Sequence, residues 1–227
     1  MSEPIKVDIW SDIACPWCFI GKRKFERGAA EFSEAAGDSA PEVVVEYHSY
    51  ELAPDTPVDF DGDEVEFLAG HKGMDPAQVQ QMLARVTGIA EATGLDYNFD
   101  ILKHTNTIKA HELMHFAKAQ GKQLEMGERL FSAYFTEGRH VGRVDDLVDL
   151  AAEIGLDRDE ARSALESNRY LADVDADKAQ AMQYGIQGVP FFVVDGKYGV
   201  SGAQEAQTFA QVLGQVWSER AEVEVQA

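Results

Sequence analysis

A chain of 227 residues, 45% of them hydrophobic, is long enough to bury a core without disulfide staples. Its formal net charge of −20 comes from 40 acidic and 20 basic residues, which argues against nucleic acid or an anionic membrane as partner, because phosphate groups would be repelled. We find no run of about 18 apolar residues that would span a membrane and no secretion-type leader, so we expect a cytoplasmic protein.

The first 52 residues predict a strand, a helix and a second strand. Residues 5–9 (IKVDI) alternate between apolar and polar side chains, as a half-buried strand does. Apolar residues at helical spacing follow over 18–36, and Pro16 stands in the first turn, where its missing N–H has no helical partner to lose. Residues 43–52 are rich in β-branched and aromatic side chains, which favours a strand. This order places Cys15 at the N-terminus of the helix.

Between about residue 62 and residue 168 the sequence carries only helical patterns. Asp75-Pro76 is typical of a helix N-terminus, since Asp caps free amides and Pro fits the first turn. Apolar spacing predicts further helices at about 105–120, 124–137, 143–155 and 158–167, and another one from Leu171 onwards.

Strand patterns return near the C-terminus. Residues 189–194 and 197–200 flank Asp195-Gly196, and this dipeptide favours the tight turn of a β-hairpin. A last amphipathic helix is predicted at about 203–218. The order of elements predicts an α/β core with an all-helical domain between its two halves; we assign residues 1–60 and 170–227 to the core and 61–169 to the insertion.

Both cysteines of the chain lie in SDIACPWC (residues 11–18). Three roles are open for this pair of cysteines: a redox pair, part of a metal site, or a structural disulfide. A disulfide that closes so small a ring would stabilise the fold by only about 2 kcal/mol, so a clip is the weakest explanation. The N-terminus of a helix favours the thiolate, and Cys15 stands there, so we predict Cys15 as the nucleophile. Cys18, one turn inside the helix, would then resolve the mixed disulfide.

Four motifs together resemble one family. They are SDIACPWC (11–18), NTIKAHEL (106–113), LFSAYFTEG (130–138) and GVPFFVVDGKYGVSGAQ (188–204). On these motifs the whole chain is similar to the DsbA-like thioredoxin-fold oxidoreductases, and most closely to their cytosolic FrnE-like branch. The resemblance implies a thioredoxin fold with an all-helical domain inserted between the two halves of the core.

The resemblance also implies roles for residues around the cysteine pair. Pro190 would be a cis-proline that faces the cysteines, and the backbone of Val189 would pair with a bound substrate peptide. Pro16 and Trp17, between the cysteines, would contact the substrate. Periplasmic relatives often carry His at the position of Trp17, which makes them strong oxidants. Because Trp17 has no titratable donor, we predict a potential below the DsbA extreme of about −120 mV and nearer that of thioredoxin, about −270 mV.

The stretch HELMH (111–115) matches the zinc-protease motif HExxH, in which two histidines share one helix face. The match is weak, because five residues recur by chance and no third histidine follows at the spacing of the extended motif. We therefore expect no metal, and interpret His111 and His115 as helix-surface histidines that flank an apolar face. A role for Asn106 or His111 in lining the active site stays open.

These observations predict an enzyme, a protein disulfide oxidoreductase that reduces, isomerises or oxidises disulfides through Cys15 and Cys18. Its substrates would be disulfide-containing proteins or peptides, and its reductant a low-molecular-weight thiol or a thioredoxin-type protein. We expect no resident cofactor, with glutathione as one candidate co-substrate. Neither nucleic acid nor a membrane is expected as a partner, and a homodimer is compatible with the sequence.

Two other functions stay open. Kappa-class glutathione transferases and 2-hydroxychromene-2-carboxylate isomerases resemble the chain in the insertion and the proline loop, but use serine or a lone residue at the Cys15 position. For such an enzyme, a glutathione carboxylate would bind near residues 201–204, at the start of the last helix. The second alternative is a non-enzymatic module that binds zinc or a client protein.

Overall fold

A four-stranded sheet with the strand order β2-β1-β3-β4 organises the fold. This computed structural model describes residues 3–226, with side chains as far as Ala221. Strand β1 (Ile5–Ser11) pairs in parallel with β2 (Val43–Ser49) and antiparallel with β3 (Phe191–Val194). Strand β4 (Tyr198–Ser201) pairs antiparallel with β3 at the other edge.

The predicted hairpin is present between β3 and β4. Asp195 and Gly196 both have positive φ angles, 57° and 65°. A two-residue turn with two positive φ angles matches the right-handed twist of the strands that it joins, which is why Asp-Gly favours it.

Helices cover both faces of the sheet. Helix α1 (Pro16–Ala36) connects β1 to β2 and packs with the last helix, α9 (Ala206–Gln226). Phe25 of α1 and Phe209 of α9 both contact Phe192 of β3, so this pair of helices buries one face. The segment between β2 and β3 forms α2 (Glu64–Lys72), α3 (Pro76–Ala92), α4 (Ile108–Ala119), α5 (Gln123–Phe135), α6 (Val144–Glu153), α7 (Arg158–Glu166) and α8 (Leu171–Gln183).

This arrangement confirms the fold class predicted from the sequence, an α/β core with a helical insertion between its halves. Helix α8 contacts both β2 and α4, so it joins the sheet to the inserted helices. The exact domain limits at residues 60 and 170 stay predictions. None of the helices within residues 3–226 combines the length and the hydrophobicity of a membrane span.

Helix α4 lies at the centre of the inserted helices and contacts α5, α6, α7 and α8. Its residues from Ala110 to Ala117 are all buried, and these include His111 and His115. The expectation that both histidines lie at the helix surface is therefore wrong. A helix that is surrounded on all sides has no solvent face, so its polar residues must find partners inside the protein.

Glycine allows α1 to approach α9 closely. A Cβ atom at Gly28 would lie 2.8 Å from Phe209 Cβ and would also overlap the backbone of Ala206. Gly214, inside α9, has open space where its Cβ would stand. The two glycines thus occupy the same kind of secondary structure in opposite steric surroundings.

We expect Gly28→Ala to lower the free energy of unfolding by about 1–3 kcal/mol, because the two helices must separate to admit the methyl group. Gly214→Ala, the matched control, should leave stability unchanged or raise it by up to about 1 kcal/mol, since alanine favours the helix. Urea denaturation of both variants measures the difference. Equal effects at the two positions would contradict the close contact.

A buried polar network ties the sheet to α4 and α8. The carboxylate of Asp177 on α8 accepts hydrogen bonds from His48 Nδ1 at 2.8 Å, from His115 Nε2 at 2.9 Å and from the Ser49 backbone N–H at 2.8 Å. His48 also donates to Asp8 on β1 at 2.7 Å. Burial disfavours the charged imidazole of His48, but these two carboxylates outweigh it and raise its pKa to about 9.

The Asp177 carboxylate shifts in the opposite direction. Burial alone would raise its pKa, but the hydrogen bonds from His115 and His48 hold the pKa of Asp177 well below its usual range. At neutral pH, His48 is therefore a cation between two carboxylates. Such a buried ion pair stabilises the fold only while both partners are charged.

This network predicts a specific pH dependence of stability. The stabilisation of the fold by His48 is fully present below the unfolded-state pKa of 6.5, and it is lost as the pH rises through about 9. A pKa difference of this size corresponds to at most about 3 kcal/mol. The contribution of Asp177 is present above 3.8 and is lost at lower pH.

We expect the wild type to exceed His48→Gln in stability by more at pH 6 than at pH 9.5, because the cation is neutralised in between. The measurement is the urea midpoint of both proteins at both pH values. Taking the difference between wild type and variant at each pH removes the effect of all other titrating groups. A difference that does not change with pH would exclude a charged His48.

Candidate active site

The two cysteines lie at the start of α1, where a turn after β1 holds them. Cys15 precedes the helix with an extended backbone, and Pro16 occupies its first turn. The backbone N–H of Cys15 donates to Asp12 O at 3.1 Å, and that of Cys18 donates to Cys15 O at 3.0 Å. Both cysteines are free thiols. The predicted placement of Cys15 at a helix N-terminus is confirmed.

Exposure does not separate the two thiols. Cys15 is 3% exposed and Cys18 is 2% exposed, so both are buried. What separates them is their surroundings: Cys15 borders a cavity of about 320 Å³, and Cys18 does not. This cavity, which we call the large cavity, gives a reagent a route to Cys15.

The loop before β3 faces Cys15. The peptide bond between Val189 and Pro190 is cis, and Cys15 Sγ lies 3.5 Å from Val189 O. Pro190 is buried against α1, where a Cβ atom at Gly21 would come within 2.9 Å of Pro190 Cγ. Glycine at position 21 thus lets the loop reach the active-site helix.

The structure brings most of the predicted site residues together. Four of them border the large cavity: Cys15, Pro16, Trp17 and Val189. Trp17 is 39% exposed to solvent. Pro190 lies one residue behind Val189 and shapes the loop rather than the cavity wall.

The inserted helices α2 and α3 form the opposite wall of the large cavity. Their contribution is mainly apolar, with Phe67, Leu68, Met82, Leu83 and Val86. Polar groups also border the cavity: Asp12, Thr105, Thr107, and the buried side chains of Glu64 and His104, which are hydrogen-bonded at 2.8 Å. His71 and Lys72, at the end of α2, also line the cavity. The cavity has the size and the mixed lining of a site for a small molecule or a peptide segment.

Asp12 is a functional candidate that our sequence analysis missed. Its carboxylate is buried and accepts hydrogen bonds from Thr107 Oγ1 at 2.8 Å, from the Leu52 N–H at 2.8 Å and from His111 Nε2 at 3.3 Å. Burial alone would raise its pKa, but the bonds from His111, Leu52 and Thr107 hold the pKa of Asp12 below its usual range. Its position three residues before Cys15 was the only available clue.

The two residues for which a lining role stayed open do not border the large cavity. Asn106 holds the start of α4, since its side chain donates to Pro54 O at 2.8 Å and accepts from Ile108 N–H at 2.9 Å. Its neighbours Thr105 and Thr107 line the cavity instead. His111 borders a second, much smaller cavity of about 10 Å³, which Ser11 and Ser49 also line.

Cys18 is surrounded by apolar groups and by the other thiol. Burial and the nearby Cys15 raise the pKa of Cys18 well above its usual value, while the Ser11 hydroxyl and the Asp12 backbone act in the opposite direction. Ser11 is buried as well, and its hydroxyl makes no hydrogen bond of good geometry within residues 3–221.

The candidate metal ligands of HELMH point to different partners. His111 contacts Asp12 and His115 contacts Asp177, while Glu112 pairs with Lys109 at 2.7 Å. Within the described residues, the side chains close enough to hold an ion are Asp8, Glu46 and His48, and this group contains neither cysteine. This geometry gives no support to the zinc-protease interpretation.

Comparison with known proteins agrees with the geometry. A model of the DSBA-like thioredoxin domain matches residues 6–214. The chain belongs to this family. The crystal structure of a probable DsbA oxidoreductase from Streptomyces coelicolor is 39% identical, covers 95% of this chain and 91% of that one, and superposes with a TM-score of 0.87. Family membership and this likeness support a thiol oxidoreductase or a related enzyme.

Two more distant structures share the fold of this DSBA-like chain. The cytosolic disulfide reductase DsbM from Pseudomonas aeruginosa is 22% identical, with a TM-score of 0.60 over 97% of this chain and 98% of that one. A 2-hydroxychromene-2-carboxylate isomerase is 16% identical, with a TM-score of 0.71 over 96% of this chain and 98% of that one. At these identities the likeness shows the fold alone.

Enclosure of Cys15 predicts that its alkylation depends on reagent size. In Cys18→Ser, iodoacetamide should modify Cys15, while a polymer-linked maleimide should react at least about tenfold more slowly than with an exposed thiol, because Cys15 is only 3% exposed. The exposed reference is a variant in which Cys15 and Cys18 are replaced by serine and Met182→Cys supplies the single thiol. Position 182 is suitable because Met182 is 75% exposed. Equal rates with the bulky reagent at both positions would show that Cys15 is open to solvent.

Proposed function

We propose that the chain is a thiol–disulfide oxidoreductase in which Cys15 attacks and Cys18 resolves. The observation that carries this proposal is the placement of the pair: the Cys15 thiol at the wall of the large cavity, and Cys18 behind it. The Cys15 thiolate attacks a substrate disulfide, one substrate thiolate leaves, and a mixed disulfide forms. Cys18 then attacks Cys15 Sγ and releases the second thiolate, so that the protein is oxidised and the substrate reduced.

The cis-proline loop supports this assignment. Val189 O lies 3.5 Å from Cys15 Sγ, so a chain that runs along the Val189 backbone would bring its disulfide to the thiol. Trp17 adds a partly exposed apolar surface on the other side. We propose Val189, Trp17 and Pro16 as substrate contacts on this basis.

The enclosure of Cys15 bears on the size of the substrate. A disulfide on the surface of a folded protein cannot enter a cavity of about 320 Å³ without local opening. A low-molecular-weight disulfide or a flexible peptide fits it better. We therefore propose these classes as the preferred substrates, with a small thiol or a thioredoxin-type protein as the reductant.

The location and the assembly state stay predictions. We propose that the protein acts in the cytoplasm, on the acidic composition and the cysteine usage of the sequence. A homodimer stays a proposal, because it rests on the sequence alone.

A glutathione-dependent transferase or isomerase is the second candidate. The apolar wall from α2 and α3 favours it, because a small aromatic or aliphatic substrate would pack there next to Cys15. In such an enzyme Cys18 would be dispensable, since only one residue at the Cys15 position is used. The two functions therefore differ in their dependence on Cys18.

We expect the wild type to reduce 2-hydroxyethyl disulfide and, more slowly, insulin, with dithiothreitol as electron source. Cys15→Ser should lose both activities, and Cys18→Ser should trap a mixed disulfide on Cys15, because the second attack is missing. Turnover, mass spectrometry of the trapped species and zinc content on the same samples provide the measurement. Full turnover by Cys18→Ser with glutathione would favour the transferase, and zinc lost with either cysteine would favour a metal-binding module.

The redox potential offers a second test of this function. We expect the Cys15–Cys18 couple to be more reducing than about −150 mV, because Trp17 supplies no cationic partner for the Cys15 thiolate. Equilibration with glutathione buffers, followed by alkylation and mass spectrometry, gives the value. Trp17→His is the matched variant and should be more oxidising than the wild type. A wild-type potential near that of DsbA would contradict the prediction.

A further inference from the structure

A tyrosine of the insertion holds the backbone between the two cysteines. The hydroxyl of Tyr97, in the segment between α3 and α4, donates a hydrogen bond to the backbone carbonyl of Pro16 at 2.7 Å. Pro16 is the first residue of α1 and stands between Cys15 and Trp17. The insertion therefore contacts the cysteine motif (residues 15–18) at its backbone, in addition to facing it across the large cavity.

This hydrogen bond is additional to those of the helix. The carbonyl of a residue in the first helical turn accepts from the N–H four residues further on, and its oxygen has a second lone pair for another donor. Tyr97 supplies that donor from outside α1. Burial raises the pKa of Tyr97 well above its usual value, so the hydroxyl keeps its proton at neutral and moderately alkaline pH.

The peptide that Tyr97 holds carries the first amide N–H of α1. Pro16 has no N–H, so the first helical N–H belongs to Trp17, in the same peptide unit as the Pro16 carbonyl. Within the described part of the chain, no backbone carbonyl accepts a hydrogen bond from this N–H. The peptide is thus held at its oxygen end. Its rotation would change ψ of Pro16 and φ of Trp17, and both angles lie on the backbone path from Cys15 to Cys18.

Tyr97 is itself firmly packed. It is 5% exposed, and its ring stacks on Phe135 of α5 with the ring centroids 4.7 Å apart. The next residue, Asn98, donates its backbone N–H to Phe135 O at 2.7 Å. A side chain packed in this way has little freedom to follow a moving partner, so its hydroxyl is a fixed point for the cysteine motif.

Helix α1 also docks on the insertion through side chains outside the cysteine motif. Phe19 of α1 stacks on Phe131 of α5 with the ring centroids 5.0 Å apart. Arg23 donates to the carboxylate of Glu128 on α5 at 2.9 Å. These contacts would remain without the Tyr97 hydroxyl, so its removal should act on the cysteine motif rather than on the docking of the helix.

We propose that Tyr97 is a positioning residue for the second step of the exchange, the attack of Cys18 on the mixed disulfide at Cys15. This proposal rests on the proposed thiol–disulfide exchange. In that step the Cys18 sulfur bonds to Cys15 Sγ, and the thiol proton of Cys18 passes to the solvent. The bond between Cys15 and the substrate sulfur breaks, and its electron pair leaves with the substrate thiolate. The two cysteines are oxidised and the substrate is reduced.

The two steps differ in their need for a fixed backbone. In the first step Cys15 meets a sulfur of the free substrate, which can adjust its own approach. In the second step both sulfurs belong to the same four residues, and a disulfide requires a narrow range of Cα and Cβ distances. A misplacement of about 1 Å can slow a reaction between held groups by about 10²-fold. Loss of the Tyr97 restraint should therefore slow the second step selectively.

The two steps can be followed separately with 5,5′-dithiobis(2-nitrobenzoate) as the probe. Attack by Cys15 releases one coloured thiolate, at a rate that rises with the concentration of the reagent. Attack by Cys18 releases the second, at a rate that does not depend on this concentration. Stopped-flow absorbance of the full-length protein records both phases. Cys18→Ser should show the first phase alone, which assigns the two.

Tyr97→Phe removes one oxygen and keeps the ring that packs on Phe135. We expect its first phase to stay within about twofold of the wild type and its second phase to slow by about tenfold. Tyr198→Phe is the matched control, because its hydroxyl donates to Glu219 of α9 and the residue does not border the large cavity. It should match the wild type in both phases. Urea denaturation of both variants measures how much stability each has lost.

The ratio of the two rates separates positioning from mere support of the fold. A variant that is only less stable would open the site as a whole, so both phases would change in the same direction. A second phase of Tyr97→Phe that is unchanged or faster, an equal change in both phases, or the same selective slowing in Tyr198→Phe would overturn the proposal. A wild type that never releases the second thiolate would instead overturn the proposed function.

Discussion

The buried carboxylate of Asp12 is the constraint on which the site depends. It accepts hydrogen bonds from the Leu52 N–H after β2 and from Thr107 and His111 around the start of α4, while its own backbone carbonyl holds Cys15. One ionised group therefore fixes the cysteine turn, the sheet and the insertion relative to one another. Without such partners a buried carboxylate would be strongly unfavourable, so these contacts stabilise the three segments in their common arrangement.

The sequence was most informative where the chemistry is local. Cys15 at a helix start, Asp195-Gly196 at a hairpin and the helical spacing of the insertion each depend on neighbours a few residues away, and the structure contains all three. The contacts of Asp12 with Thr107 and His111 join residues 95 and 99 positions apart. No local pattern encodes such pairs, so the acidic residue beside the cysteine motif passed unnoticed.

HELMH illustrates the opposite difficulty. Two histidines at helical spacing read equally well as metal ligands or as surface residues, because the sequence does not show how many neighbours a helix has. In the fold α4 is enclosed, and His111 and His115 become the partners of two separate acids, Asp12 and Asp177. Burial on all sides, rather than the spacing, decides what these residues can do.

The two cysteines differ by what lies next to each, although both are almost inaccessible. Cys15 borders the large cavity at the N-terminus of α1, where the proposed substrate would bind. Cys18 borders no such space, and its thiolate is costly until a proton acceptor is available. In the proposed exchange, a protonated Cys18 would not compete with Cys15 for the substrate. In the proposed exchange, Cys18 must lose that proton before it can attack the mixed disulfide on Cys15. For the proposed exchange, burial and the position of each thiol therefore favour Cys15 as the first nucleophile and Cys18 as the second.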